Sequence, residues 1–243
     1  RCTMNSNGAW LGLAFFLMGC SEAGQSELYY PATATSNVSS PMTVGEWTVS
    51  LDQASVLFGP VYFCAAATGA ATLCSTAMAE IRSESPIDLL NPEPQSLGDV
   101  HGFSGTIRSA SYDHGIHWFV TETEARADDL TLGGHSAVFV GQAQRGGQTV
   151  PFEARVDLQP PIQGERAVSR VLQPVTIENE NVTLDIRFDL TSWLAAIDFN
   201  AAAAAGGPLV IEPDSAKHSS LVNVMSNLAP PTFVWSGAGV TKP

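Results

Sequence analysis

Positive charge is scarce in this sequence. Lysine and arginine together number 11 in 243 residues, against 24 aspartates and glutamates, and the formal net charge is -13. A protein that tracks nucleic-acid phosphates needs a basic stripe to displace counterions, so nucleic acid is not an expected partner. The same balance would be repelled by anionic lipid headgroups, which removes a polybasic mode of membrane attachment. Charge of either sign is thin, at 14% of residues, while hydrophobic residues make up 44%. Such a composition belongs to a folded chain rather than a disordered one, with one sizeable core or two small ones.

Catalytic signatures are also missing. The chain carries no G-x-S-x-G, no phosphate-binding loop, no H-E-x-x-H and no EF-hand loop, so the motif-based enzyme readings fail. No pair of acids has a spacing that places both in one site, which speaks weakly against a glycosidase-type mechanism. No internal repeat appears at solenoid periods.

An uncharged apolar run does occur at residues 9–19, AWLGLAFFLMG. It is shorter than the roughly 20 residues that a free membrane-spanning helix needs. Its length suits the apolar region of an export signal. The run ends in Leu17-Met18-Gly19-Cys20, which resembles the lipobox of bacterial lipoproteins. There a thiol takes a diacylglyceryl group, and a small residue before it lets the signal peptidase reach the bond. The resemblance covers about the first 20 residues. It implies a signal peptide over residues 1–19, a lipid on Cys20 and membrane contact through that lipid. Ser21 resembles the sorting pattern of outer-membrane lipoproteins in Gram-negative bacteria, which implies an outer-membrane location in the cell envelope.

Residues 21–41 are rich in Ser, Thr, Ala and Pro and show no apolar period. They read as a flexible tether, so residues 20–42 are assigned as a lipid-anchored linker. Of four cysteines, Cys64 and Cys74 remain for the folded part. In an exported protein that pair is expected to form a disulfide, contributing roughly 2–3 kcal/mol across so short a loop.

Strand signals fill the rest. Trp47, Val49 and Leu51 alternate with polar residues, and residues 55–64 are apolar on both faces, broken by Gly59-Pro60. Residues 65–82 are Ala-rich and suggest a short helix, and the prolines of residues 84–95 suggest a loop. Three hairpins are expected, pairing 104–112 with 116–125, 136–144 with 149–158, and 168–177 with 182–190. In the last strand Val182, Leu184, Ile186 and Phe188 share one face, opposite Thr183, Asp185, Arg187 and Asp189. Helical periods are expected at residues 191–199, capped by Thr191 or Ser192, and at 215–227, with an Ala/Gly link at 200–207 between them. The fold class is mainly β, an antiparallel sandwich or barrel with one or two short helices. The expected single domain covers residues 43–235, followed by a tail at 236–243.

One local group of potential ligands stands out. His101, Asp113, His114 and His117 could hold zinc or copper if Gly115 turns the chain enough to bring His114 and His117 together. On a continuous strand that spacing would put them on opposite faces. Otherwise His114 is a turn residue and His117 a cross-strand polar partner. His135 and His218 read as surface residues. Asp128-Asp129 and Glu178/Glu180 could bind calcium only weakly. The leading expectation is a lipid-anchored, non-catalytic β-domain that binds an unknown protein or small molecule or serves an envelope role. Two others stand beside it, a metal-handling exported protein and an envelope hydrolase with a dispersed site.

Overall fold

The computed structural model describes residues 25–67 and 77–242. The apolar run at residues 9–19, expected to be an export signal, lies outside them, as do Cys20 and Cys74. Strands dominate, and two main sheets enclose one apolar core, as the sequence period predicts.

The larger sheet has nine strands. In spatial order they are β16 (Thr232–Ser236), β14 (Thr183–Phe188), β1 (Glu27–Ser36), β7 (Gln95–Phe103), β5 (Ala79–Ile81), β4 (Val61–Cys64), β8 (Gly105–Tyr112), β13 (Val168–Ile177) and β17 (Val240–Thr241). The opposing sheet runs β15 (Leu209–Ile211), β12 (Gln148–Val156), β11 (Ala137–Arg145), β3 (Trp47–Phe58) and β2 (Met42–Val44), with β6 (Ser85–Asp88) also paired to β3. A small ribbon joins β9 (Ile116–His117) to β10 (Arg126–Ala127). Pairing is antiparallel except at β1–β14 and β12–β15.

Period-two alternation builds the core. Val182, Leu184, Ile186 and Phe188 are all buried, while Arg187 faces water. Leu28, Tyr30, Ala32 and Ala34 do the same on β1, and Val49, Leu51, Ala54 and Val56 on β3. The chain changes sheets between β3 and β4 at Gly59-Pro60. Gly59 has φ +109°, and a Cβ there would lie 2.5 Å from the carbonyl oxygen of Ser83, so only glycine turns this corner. Helix α1 (Leu190–Leu194) places the buried Trp193 against Phe139 and Phe188.

Several expectations are corrected. The tether of residues 20–42 contains β1, a strand held between β14 and β7, so the folded part begins by Glu27 rather than at 43. Its buried face is half alanine, which made the segment read as linker. The tail at 236–243 contributes β17 to the sheet edge. Only the β11–β12 hairpin forms as expected, from Arg145 opposite Gln148. β8 pairs with β4 and β13, not with β9, and β13 and β14 are separated by most of the nine-stranded sheet. Residues 79–81 and 85–88 are strands where a helix and a loop were expected. Asp189, not Thr191 or Ser192, caps α1 by accepting from the Ser192 N–H at 3.1 Å. The Ala/Gly link is helix α2 (Phe199–Ala205), capped by Asp198. The last helical stretch is α3 (His218–Asn223), which widens into a π-helical turn over Val224–Leu228.

Candidate functional site

The expected metal ligands fall into three different surroundings. Asp113 and His114 follow the end of β8 and lock against the Gly59-Pro60 corner. Asp113 N–H donates to the Pro60 carbonyl at 3.1 Å, and Gly59 N–H donates to the Asp113 carbonyl at 3.0 Å. Gly115, with φ +75°, then turns the chain tightly against Leu57. The turn foreseen at that glycine exists, but it separates the two imidazoles instead of joining them.

His114 points into the core. It is fully buried, with rings of Phe58 and Tyr112 centred 5.6 and 5.5 Å away. Its Nδ1 donates to the Leu57 carbonyl at 3.0 Å, which leaves Nε2 as a buried lone pair with no hydrogen-bond partner. Burial pushes its pKa down to about 4, against the smaller opposing effects of the Leu57 bond and the Asp113 charge.

His117, on β9, sits in an ionic cluster. Its Nδ1 is 3.4 Å from Asp113 Oδ2, and its Nε2 is 3.0 Å from Glu84 Oε2. A carboxylate on each side gives both ring nitrogens an acceptor, which favours the charged imidazolium. Burial alone would lower its pKa, but the bond to Asp113 and the charges of Asp113 and Glu84 outweigh it and raise the value. Glu84 itself is held above the usual carboxylate range by burial, partly offset by His117. Asp113 is wholly buried and accepts from Arg166 Nη1 at 3.0 Å and from the Ala167 N–H at 2.7 Å. The Arg166 guanidinium lies over the Tyr62 ring at 4.2 Å and near Phe119 at 5.2 Å. Two carboxylates thus face one guanidinium and one imidazolium, and the buried charge balances.

His101 lies elsewhere, on the outer face of β7. Its ring stacks on Tyr29 at 4.6 Å, its Nε2 donates to Glu27 at 2.7 Å, and its Nδ1 accepts from Arg82 at 3.3 Å. The structure therefore brings Asp113 and His117 together and leaves His114 and His101 apart from them. Among the described residues, no three or more His, Cys, Asp or Glu side chains stand in an arrangement that could hold a metal ion. Asp128 pairs with Arg126, and Asp129 accepts from the Thr131 N–H, so both acids are partnered within their own loop. Cys64 is buried at the end of β4, and its expected partner Cys74 lies outside the described residues.

Sequence reasoning missed Glu84 and Arg166, which carry no local signal. It also missed a second constellation, because its members come from three segments. His135 Nδ1 donates to Asp157 Oδ1 at 2.8 Å, while His218 Nε2 accepts from the Asp157 N–H at 2.9 Å. His218 is therefore neutral with its proton on Nδ1, and burial lowers its pKa. Asp157 and His218 border a polar cleft with Gln159, Asn223 and Asn227.

No family model matches the chain, and no curated protein matches it. Among solved structures, it is similar to a candidate cell adhesion protein from Bacteroides eggerthii DSM 20697, with 14% identity and a TM-score of 0.23. That match covers 89% of this chain and 57% of the other, so the chain spans little more than half the length of the protein it matches. At this TM-score the likeness carries no weight, and the fold rests on the strand pairing described above.

Proposed function

We propose that this chain is an exported bacterial lipoprotein of the cell envelope, anchored through Cys20, whose β-sandwich binds a partner rather than catalyses a reaction. The observation that carries the reading is the apolar run ending in Leu17-Met18-Gly19-Cys20, followed closely by a domain that is folded from Glu27 onward. The state of Asp113 and His117 supports a binding role. These groups have the chemistry of a general acid or base, yet their hydrogen bonds go to Arg166, Ala167 and Glu84 of the fold itself. Both are buried, which keeps a substrate from them. The loops around this cluster carry exposed apolar side chains, including Val120 at 73% and Ile162 at 57% exposure, and these give a binding role a surface. Export also makes a Cys64–Cys74 disulfide the expected state of the mature protein.

Mass spectrometry of the mature protein from a bacterial host tests the anchor. The expected result is an N-terminal Cys20 bearing a diacylglyceryl group, and a Cys20→Ala variant that stays unlipidated and leaves the membrane fraction. A mature N-terminus at another residue, unmodified, would overturn the reading. Thiol titration of the same protein before and after reduction reads the disulfide.

A further inference from the structure

The lipid anchor and the folded domain are closer together than the sequence suggests. Gln25 is already a described residue and β1 starts at Glu27, so five peptide steps separate Cys20 from Gln25. Fully extended, they span at most about 18 Å. β1 alone, with 10 residues, is roughly 33 Å long. A domain held by so short a lead cannot stand clear of the surface to which its first strand is tied.

The strand pairing identifies the end that would face that surface. Glu27 lies opposite Phe103 at the end of β7, and β8 begins beside them at Gly105. The far end of the same sheet carries Ser36, Phe188 and Tyr112, and beyond Tyr112 the Asp113–His117 cluster. At the near end the outer sheet face exposes two aromatic rings, Tyr29 at 51% and Phe103 at 45%. Each sits on its strand with its side chain away from the core, since Leu28, Tyr30 and Val100 fill the inner face. Tyrosine prefers the headgroup layer of a bilayer, where its apolar body and its hydroxyl are both satisfied, and the purely apolar Phe103 ring at the same end leaves water on entering the layer. Cations accompany them, for Arg82 is on the segment after β5, and Arg108 and Lys242 line a groove farther across the same face. Arg82 is paired with Glu80, and Glu27 stands beside Tyr29, so the contact rests on the two rings rather than on charge.

We propose that Tyr29 and Phe103 rest in the interfacial layer of the bilayer that holds the Cys20 lipid, so that the sandwich sits on the membrane with the start of β1 towards it. The Asp113–His117 end and its exposed loops then point away from the membrane. This inference rests on the lipoprotein reading above.

Spin labels on the lipidated full-length protein test it, in vesicles of phosphatidylethanolamine and phosphatidylglycerol. One label is attached at Thr106→Cys, on β8 at the same end of the sheet as Phe103, and another at Val120→Cys, at the far end. Collision rates are measured with oxygen, which concentrates in lipid, and with a water-soluble nickel chelate. The expected result is a nickel-chelate collision rate at 106 about threefold lower than at 120, with oxygen access retained, as for a site in the interfacial layer. A Tyr29→Ser/Phe103→Ser double variant, labelled at 106, should lose that protection while staying lipidated. Equal water exposure at 106 and 120 in verified lipidated protein would overturn the orientation and leave the anchor standing. Low collision with both reagents would mark a protein cover, such as a second copy, and would also overturn it. Protein shown by mass to be unlipidated at Cys20 would overturn the lipoprotein reading and this inference with it.

Discussion

His114 and His117 stand three residues apart and answer to opposite physics. His114 faces the space between the sheets, where Phe58 and Tyr112 surround it and one ring nitrogen has no partner. His117 faces the charged end of the sandwich, where each ring nitrogen meets a carboxylate. The interior therefore keeps its histidine neutral by withholding water, and the cluster keeps its histidine charged by supplying counter-charge. The two regions also differ in how fully they satisfy polar groups. Within the cluster each charged group has an opposite charge within hydrogen-bond or ion-pair reach. Between the sheets, the Tyr30 and Tyr112 hydroxyls, His114 Nε2 and the Trp235 indole N–H are buried with none.

The largest effect should come from breaking the cluster at its centre. Asp113 is the one group that touches both cations and the Ala167 N–H. Asp113→Ala leaves a guanidinium and an imidazolium partly buried without their shared anion. Urea unfolding should show a loss of about 3–5 kcal/mol, the range for removing one partner of a buried pair. A loss below about 1 kcal/mol would mean that the cluster is open to water and that the contrast with the interior is false.

Acid should act on the interior next. The His114 pKa is pushed down to about 4 in the folded chain and returns to its ordinary value near 6.5 on unfolding. Because the folded value is the lower one, its contribution to stability is complete above pH 6.5. It is lost as pH falls from there through about 4. The size is at most roughly 3 kcal/mol, from the pKa difference. Urea midpoints measured from pH 7 to pH 4 should fall for the wild type and fall less steeply for His114→Phe. Parallel slopes for the two proteins would show that other groups carry the acid sensitivity.

How much of this contrast was legible follows the range of each signal. The β11–β12 hairpin was readable because Gly146-Gly147 sits between two alternating runs, and both the turn and the pairing are local. The Val182–Phe188 stripe was readable because burial of one face is written in the strand itself. Its pairing was not, since β14 lies beside β1 and β16, which come from distant parts of the chain. β1 was hidden by composition, for Ala32 and Ala34 bury as completely as Leu28 but resemble linker residues. The density of ligands around Asp113 was visible. What decides their chemistry is not, because Arg166 is 53 residues from Asp113, Glu84 is 33 from His117, and Leu57 is 57 from His114.

Alkali should act on the cluster, with the opposite sign from the acid effect. The folded His117 pKa lies above its unfolded value, with burial opposed and outweighed by Asp113 and Glu84. Its contribution is thus complete below the ordinary histidine value near 6.5 and is lost as pH rises through the raised folded value. Urea midpoints should decline from neutral to alkaline pH in the wild type, by less than the acid effect of His114. His117→Gln should flatten that limb and leave the acid limb unchanged. A change in the acid limb instead would mean that the two sites are coupled across Gly115 and are not separate regions.

The smallest effect should be a gain. Tyr112 lies in the interior beside His114, wholly buried, and its hydroxyl has no hydrogen-bond partner. An unpaired buried hydroxyl has given up its water without a replacement, and burial accordingly pushes the phenol pKa up. Tyr112→Phe removes the oxygen and keeps the ring that packs against Phe58 at 5.0 Å and Phe233 at 5.8 Å. The cavity left is smaller than a methyl group, so its cost is minor beside the desolvation that is relieved. Stability should rise by up to about 1 kcal/mol. The corresponding removal in the cluster, Asp113→Ala, should do the reverse, and that difference in sign is the sharpest form of the comparison. A loss of about 1 kcal/mol or more for Tyr112→Phe would show that the hydroxyl is paired in solution, through an internal water reaching His114 Nε2 or another buried group. The interior would then be a satisfied polar site like the cluster, and the neutral state of His114 would owe less to dryness than to a specific hydrogen bond.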